Sequence, residues 1–289
     1  MVERVPSMPS RPRYWAYLLF LLPLVCFLMW TIGLIVLLGL WSAQDKWHTP
    51  GEPDPVFISD MGAYTKGFFI PMCVITGASY LLSFLAIRLC RQWRFLYPTT
   101  NKIEAILGWF AVLTAAGCAA CLISLAIRDD VHHDNIHWKF TAAFVVLAFV
   151  SAASNIFEWL SAHRHYRFSR LLAFSFWSKF IVIITAIVCA IAFAGLRHYQ
   201  NRSKSARFEW VVGFLWALYI ALLCLDVLPA IYHERYPSYS GDLEKGGYGT
   251  QQPGAAEQPG TTEQPGAAYA PPSEPPAAVT RNEADPTEL

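Results

Sequence analysis

Six long stretches almost free of charge decide what this chain can become. They run Trp15–Trp41, Phe68–Leu89, Ile103–Ile127, Ile136–Trp159, Leu171–Leu196 and Phe208–Ile231. Each exceeds the ~20 residues that cross the hydrocarbon core of a bilayer as a helix. A closed barrel, the other fold that satisfies its backbone in lipid, uses strands of only ~9–11 residues. The expected fold class is therefore all-α, a six-helix transmembrane bundle over residues 15–231. With 55% hydrophobic and 15% charged residues in 289, the composition excludes an ordinary water-soluble domain. Arg11 and Arg13 precede the first stretch as they would a signal peptide. Its apolar run is too long for a cleaved leader and predicts a retained helix.

An even number of spans puts both termini on one side. The connections and flanks on that side carry twelve Lys and Arg, those on the other side eight. The positive-inside rule then places both termini, including residues 1–14, in the cytosol. The outer connections are rich in Asp, and one holds the sequon Asn201-Arg202-Ser203, close to both neighbouring helices. The inner connections hold Arg91, Arg94, Arg164 and Arg167, a basic face expected to attract anionic lipid at ~1 kcal/mol per cation. All seven cysteines fall in the spans or at their edges, which predicts no loop-stapling disulfide. Cys118-x-x-Cys121 lies mid-span among alanines, where close packing is the natural role.

From Tyr232 onward the chain changes character. Gln-Pro-Gly hexapeptide echoes from Gln252 lead into Pro271-Pro272 and Pro275-Pro276, and residues 236–289 carry eight acids and two bases. Such a segment buries too little apolar surface to offset its ordering entropy, so residues 232–289 are expected to form a disordered, acidic cytosolic tail.

Polar groups inside spans cost ~2.5–3.5 kcal/mol at a helix centre on insertion scales, so each needs a partner or a task. Asn155 and Glu158 share one face near the end of the fourth span, Lys179 lies two turns into the fifth, and Asp226 interrupts the sixth. Lys179 is expected to pair with Asp226 or Glu158; the other use of these residues is a polar path for ions or lipid. His133 and His137 are spaced i, i+4, which lets two imidazoles share a metal. No glutamate follows the first histidine as in a metalloprotease helix, and a third ligand is not evident. No phosphate-binding glycine loop, nucleophile elbow or kinase set occurs, no cofactor is implied, and nothing points to nucleic acid.

The first outer connection holds Phe57-Ile58-Ser59-Asp60-Met61-Gly62, in which Asp60 and Gly62 predict a tight turn. A histidine, His137, opens the fourth span; Glu209-Trp210 opens the last and Asp226 stands near its end. With six spans, this set resembles the Frag/DRAM/Sfk superfamily over about residues 15–231. The tail and the tryptophan-rich helices are most similar to the fungal Sfk-type branch, the suppressors of phosphatidylinositol 4-kinase defects. The resemblance implies a plasma-membrane regulator that is not itself an enzyme. It would support phosphatidylinositol 4-phosphate production and lipid organisation, with membrane lipids, anionic phosphoinositides and a phosphatidylinositol 4-kinase complex as partners. On that pattern Phe57, Ser59, Asp60, Gly62, His137, Glu209, Trp210 and Asp226 are the motif residues. The Asp60 turn is expected to pack beside Glu209 and His137 as a lid on the bundle. Other branches imply an autophagy-modulator-like protein of endolysosomal or vacuolar membranes, or a GPI-anchor remodelling factor using His133 and His137.

Overall fold

A computed structural model describes residues 14–44, 53–99, 101–165 and 170–232. The expected N-terminal segment before residue 14, the acidic tail beyond residue 232 and Arg167 lie outside the described residues. Those described form helices α1 (Tyr14–Ser42), α2 (Ile58–Tyr64), α3 (Lys66–Gln92), α4 (Lys102–Ile127), α5 (Asp130–His165), α6 (Arg170–His198) and α7 (Arg202–Tyr232), with no strand among them. All but α2 are long and apolar enough to cross a membrane.

Short connections make successive long helices antiparallel neighbours, and contacts close them into a ring: α1 on α3, then α4, α5, α6, α7 and back to α1. The seam between α5 and α6 is the sparsest of the six. One end of the ring, the terminal face, holds the start of α1, the end of α7 and the α3–α4 and α5–α6 connections. The opposite face holds α2 and the α4–α5 and α6–α7 connections.

Lipid is as apolar as leucine, so burial from water does not drive these helices together; close packing and hydrogen bonds do. The face of α4 turned inward is small: Ala111, Ala115, Cys118, Ala119 and Ala126 are buried, and Cys118 and Cys121 are free thiols. Mid-bundle, the Trp216 ring meets Trp30 edge-on at 4.8 Å, Phe144 at 5.1 Å and Tyr80 at 5.4 Å between centroids. Such pairs contribute ~0.5–1.5 kcal/mol each beyond area burial. Tyr80 Oη lies 2.8 Å from Ser151 Oγ, and Trp30 Nε1 donates to the Gly213 carbonyl at 2.9 Å. These contacts tie α1, α3, α5 and α7 around one aromatic centre.

The Phe57–Gly62 stretch is not a tight turn. Residues Ile58–Tyr64 form α2, a helix lying against α3, α1, α5 and the start of α7. Asp60 falls in its first turn, where a carboxylate suits the positive end of the helix dipole. Gly62 is buried at a close approach: a Cβ there would sit 2.7 Å from the Phe69 ring.

Candidate functional site

The motif residues separate onto the two faces. Phe57, Ser59, Asp60, Gly62, His137, Glu209 and Trp210 gather at the opposite face, whereas Asp226 joins Asn155, Glu158 and Lys179 at the terminal face.

At the terminal face the bundle buries a closed set of charges. Lys179, 0% exposed, pairs with Asp226. Asp226 Oδ1 also accepts from Ser175 Oγ at 2.7 Å. Asn155 Oδ1 accepts from Lys179 Nζ at 3.3 Å and from Tyr219 Oη at 3.4 Å. One turn further along α5, Glu158 Oε1 lies 2.8 Å from Arg91 Nη1 and 3.5 Å from Arg88 Nη1. Arg91 also pairs with Glu104 and donates from Nε to the Tyr97 carbonyl at 3.0 Å. The Trp159 ring lies between the two groups, with the Arg91 guanidinium 5.3 Å and the Lys179 ammonium 5.2 Å from its centroid. Arg88, Arg91 and Lys179 thus face Glu104, Glu158 and Asp226, three cations against three carboxylates.

The balance matters because an uncompensated charge in the bundle is among the most costly groups a membrane helix can carry. Paired, the same charges specify which helix stands beside which and at what height. Gly108 makes room for them: a Cβ at that position would fall 2.6 Å from Glu158 Oε1 and 2.9 Å from Arg88 Cδ.

This cluster corrects the expectation for Arg91. Its side chain is fully buried between α4 and α5 instead of facing anionic lipid, because Glu104 and the Tyr97 carbonyl both reach it. Arg94 is half-buried with a left-handed backbone (φ 65°), and Arg164 is exposed. Glu104 and Arg88 were missed as site residues. The signal for Glu104 was there: it is the one acid at the start of α4 on an otherwise basic face, three residues after Asn101. The Asn101 side chain accepts from the Glu104 amide at 2.8 Å and caps the helix.

At the opposite face, the Glu209 carboxylate accepts the Ile58 amide at 2.8 Å, so a residue of α7 caps α2. Trp210 Nε1 donates to the Val56 carbonyl at 2.8 Å and fixes the chain entering α2. The Phe57 ring packs edge-on to Phe193 at 6.4 Å, with the Arg197 guanidinium 5.4 Å above it. His137 is buried, and its Nδ1 lies 2.8 Å from the Arg128 carbonyl and 3.0 Å from that of Leu125. Two carbonyl neighbours place a proton on Nδ1 and leave Nε2 to the cavity side of the site. His133 does not share a helical face with His137: its backbone is non-helical (φ −141°, ψ 39°) and it is exposed. The i, i+4 pairing expected for a shared metal is therefore not formed, and no group of three or more His, Cys, Asp or Glu among the described residues is arranged to hold an ion.

Asp129 completes this face. Its carboxylate caps α5 through the His132 amide at 2.8 Å, lies 2.8 Å from His132 Nδ1 and pairs with Lys66. Burial pushes its pKa up, but the bonds from Lys66 and His132 outweigh that and hold it well below its ordinary value of 3.8. Asn201 caps α7, its Oδ1 3.4 Å from the Lys204 amide.

The sequence model of the Frag1/DRAM/Sfk1/Cwh43P N-terminal domain matches residues 18–230. The chain is 65% identical to Protein sfk1 of Schizosaccharomyces pombe over 269 residues, 93% of this chain and 77% of that protein. It is 26% identical to Protein SFK1 of Saccharomyces cerevisiae over 278 residues, covering 72% and 77% of the two chains. No solved structure matches the chain.

Proposed function

The chain belongs to the Frag1/DRAM/Sfk1/Cwh43P family, in its Sfk-type fungal branch, and we propose that it is a non-enzymatic membrane regulator. In this reading it sits in the plasma membrane with both termini in the cytosol. There it supports phosphatidylinositol 4-phosphate production, through contact with a phosphatidylinositol 4-kinase complex, and organises the lipid around it. The observation that carries the reading is the neutral cluster of three cations and three carboxylates under the terminal face. Every one of those charges has a partner inside the bundle, which suits a rigid platform better than a proton or ion path. Because the cluster neutralises itself, the basic groups remaining for anionic lipid or a partner are the exposed ones at the same face, Arg164 foremost.

The test is a fluorescent reporter for phosphatidylinositol 4-phosphate at the plasma membrane in cells with and without the chain. The expected result is a weaker signal without it, restored by the wild-type chain. An unchanged signal in a strain lacking every copy would overturn the reading.

A further inference from the structure

Bordered by α5, α6 and α7, on the half of the bundle away from the charge cluster, lies an open apolar cavity. One face of α5 lines it through Thr141, Phe144 and Ala148, and one face of α6 through Ile183, Ala186 and Phe193. Trp30 and Trp216 also contribute to the wall, and the polar groups are few: His137, Glu209, Ser59 and Thr141. Three of these belong to the opposite-face assembly, so the polar end is at a membrane surface and the apolar end is deep.

The depth is informative. His137 and Ala148 are separated by eleven residues of α5, roughly 16 Å at 1.5 Å per residue. That is about half of the ~30 Å hydrocarbon core, the length of one leaflet. The seam flanking the cavity is the sparsest in the ring, and it faces lipid: Ile184, Val188 and Ile191 of α6 are exposed. An occupant can therefore arrive sideways from the bilayer.

Charge narrows the occupant. No lysine or arginine lines the cavity among the described residues, and its surface end carries the Glu209 carboxylate. A lipid phosphate there would meet no cation in the lining, whereas a hydroxyl would find hydrogen-bonding partners in His137, Ser59 and Thr141. We propose that this cavity binds an uncharged, hydroxyl-ended membrane lipid, a sterol or a diacylglycerol, from the leaflet opposite the termini. The proposal is independent of the phosphoinositide reading, since it concerns the other face and the other chemistry.

The test uses the full chain in membranes with three photoreactive lipids: a diazirine sterol, a diazirine diacylglycerol and a diazirine phosphatidylserine. Sterol or diacylglycerol is expected to label peptides of α5, α6 and α7 that line the cavity, and which of them labels identifies the source. Ala186→Trp, which fills the cavity, should lower that labelling roughly tenfold, a loss of ~1.4 kcal/mol of binding free energy. Val188→Trp, on the lipid-facing side of the same helix, should leave it unchanged. Where Ala186→Trp does not accumulate, Ala190→Phe fills the same cavity from one turn further along α6. Three results would overturn the proposal: labelling that persists in the filled variants, labelling that maps outside the peptides lining the cavity, or equal labelling by phosphatidylserine.

Discussion

Lys179 and Asp226 show why a buried pair must be judged as a pair. Removing one partner of such a pair costs ~3–5 kcal/mol, because it strands the other charge, while replacing both with apolar residues is often close to neutral. Asp226→Leu should therefore sharply reduce the thermal stability of the detergent-solubilised chain, and Lys179→Met/Asp226→Leu should regain most of the loss. If the double variant is as unstable as the single, Ser175 and Asn155, not charge, hold this site. Asp129 offers a second test at this scale, with a sign set by its lowered pKa. The carboxylate bonds contribute fully above 3.8, its ordinary value, and are lost as the pH falls below that toward the depressed value. The stability gap between wild type and Asp129→Asn should hold from neutral pH to about 4 and close below it. The sequence made Lys179 legible, since a lone cation in an apolar span needs an anion and few were on offer. It misled on Arg91, because position at a membrane edge and basic neighbours say nothing of a glutamate thirteen residues on.

At the scale of elements, α2 is the instructive case. Asp60 and Gly62 are turn residues by local preference, and a seven-residue helix has little intrinsic stability. It forms because Glu209, 151 residues away, accepts its first amide and Trp210 anchors the approach. Tertiary contact overrides local propensity, and no window around residue 60 contains that information. Hydrogen bonds to a charged group contribute ~1.5–3 kcal/mol, so Glu209→Ala should loosen α2 without unseating the long helices. The expected signature is faster amide exchange confined to residues 58–65; uniform loss of protection would show that the cap supports the whole bundle. The six spans, by contrast, could be read directly, since length and absence of charge alone demand them. Their packing depends on small residues that look alike in sequence. Gly108→Ala should cost ~1–3 kcal/mol by pressing on the Arg88–Glu158 pair, and a lower melting temperature would show it.

For the whole molecule, the prediction concerns the terminal face. Charge reversal at Arg94, Arg164 and Arg167 should lower the phosphatidylinositol 4-phosphate reporter signal with insertion intact. Arg91→Glu should instead prevent accumulation of the chain, because it places a third carboxylate beside Glu104 and Glu158. Equal accumulation of both variants with equal loss of signal would mean that Arg91 acts at the surface after all. The charge cluster also has a consequence in time. Arg91 and Glu104 are thirteen residues apart and leave the ribosome almost together, so α3 and α4 can enter the membrane already matched. Lys179 is made forty-seven residues before Asp226. Until the last helix arrives, the growing chain holds an ammonium deep in α6 with no aspartate to meet it. Arrival of α7 therefore supplies the aspartate that a chain halted between the two lacks, and Asn155 of α5 is the partner Lys179 has until then.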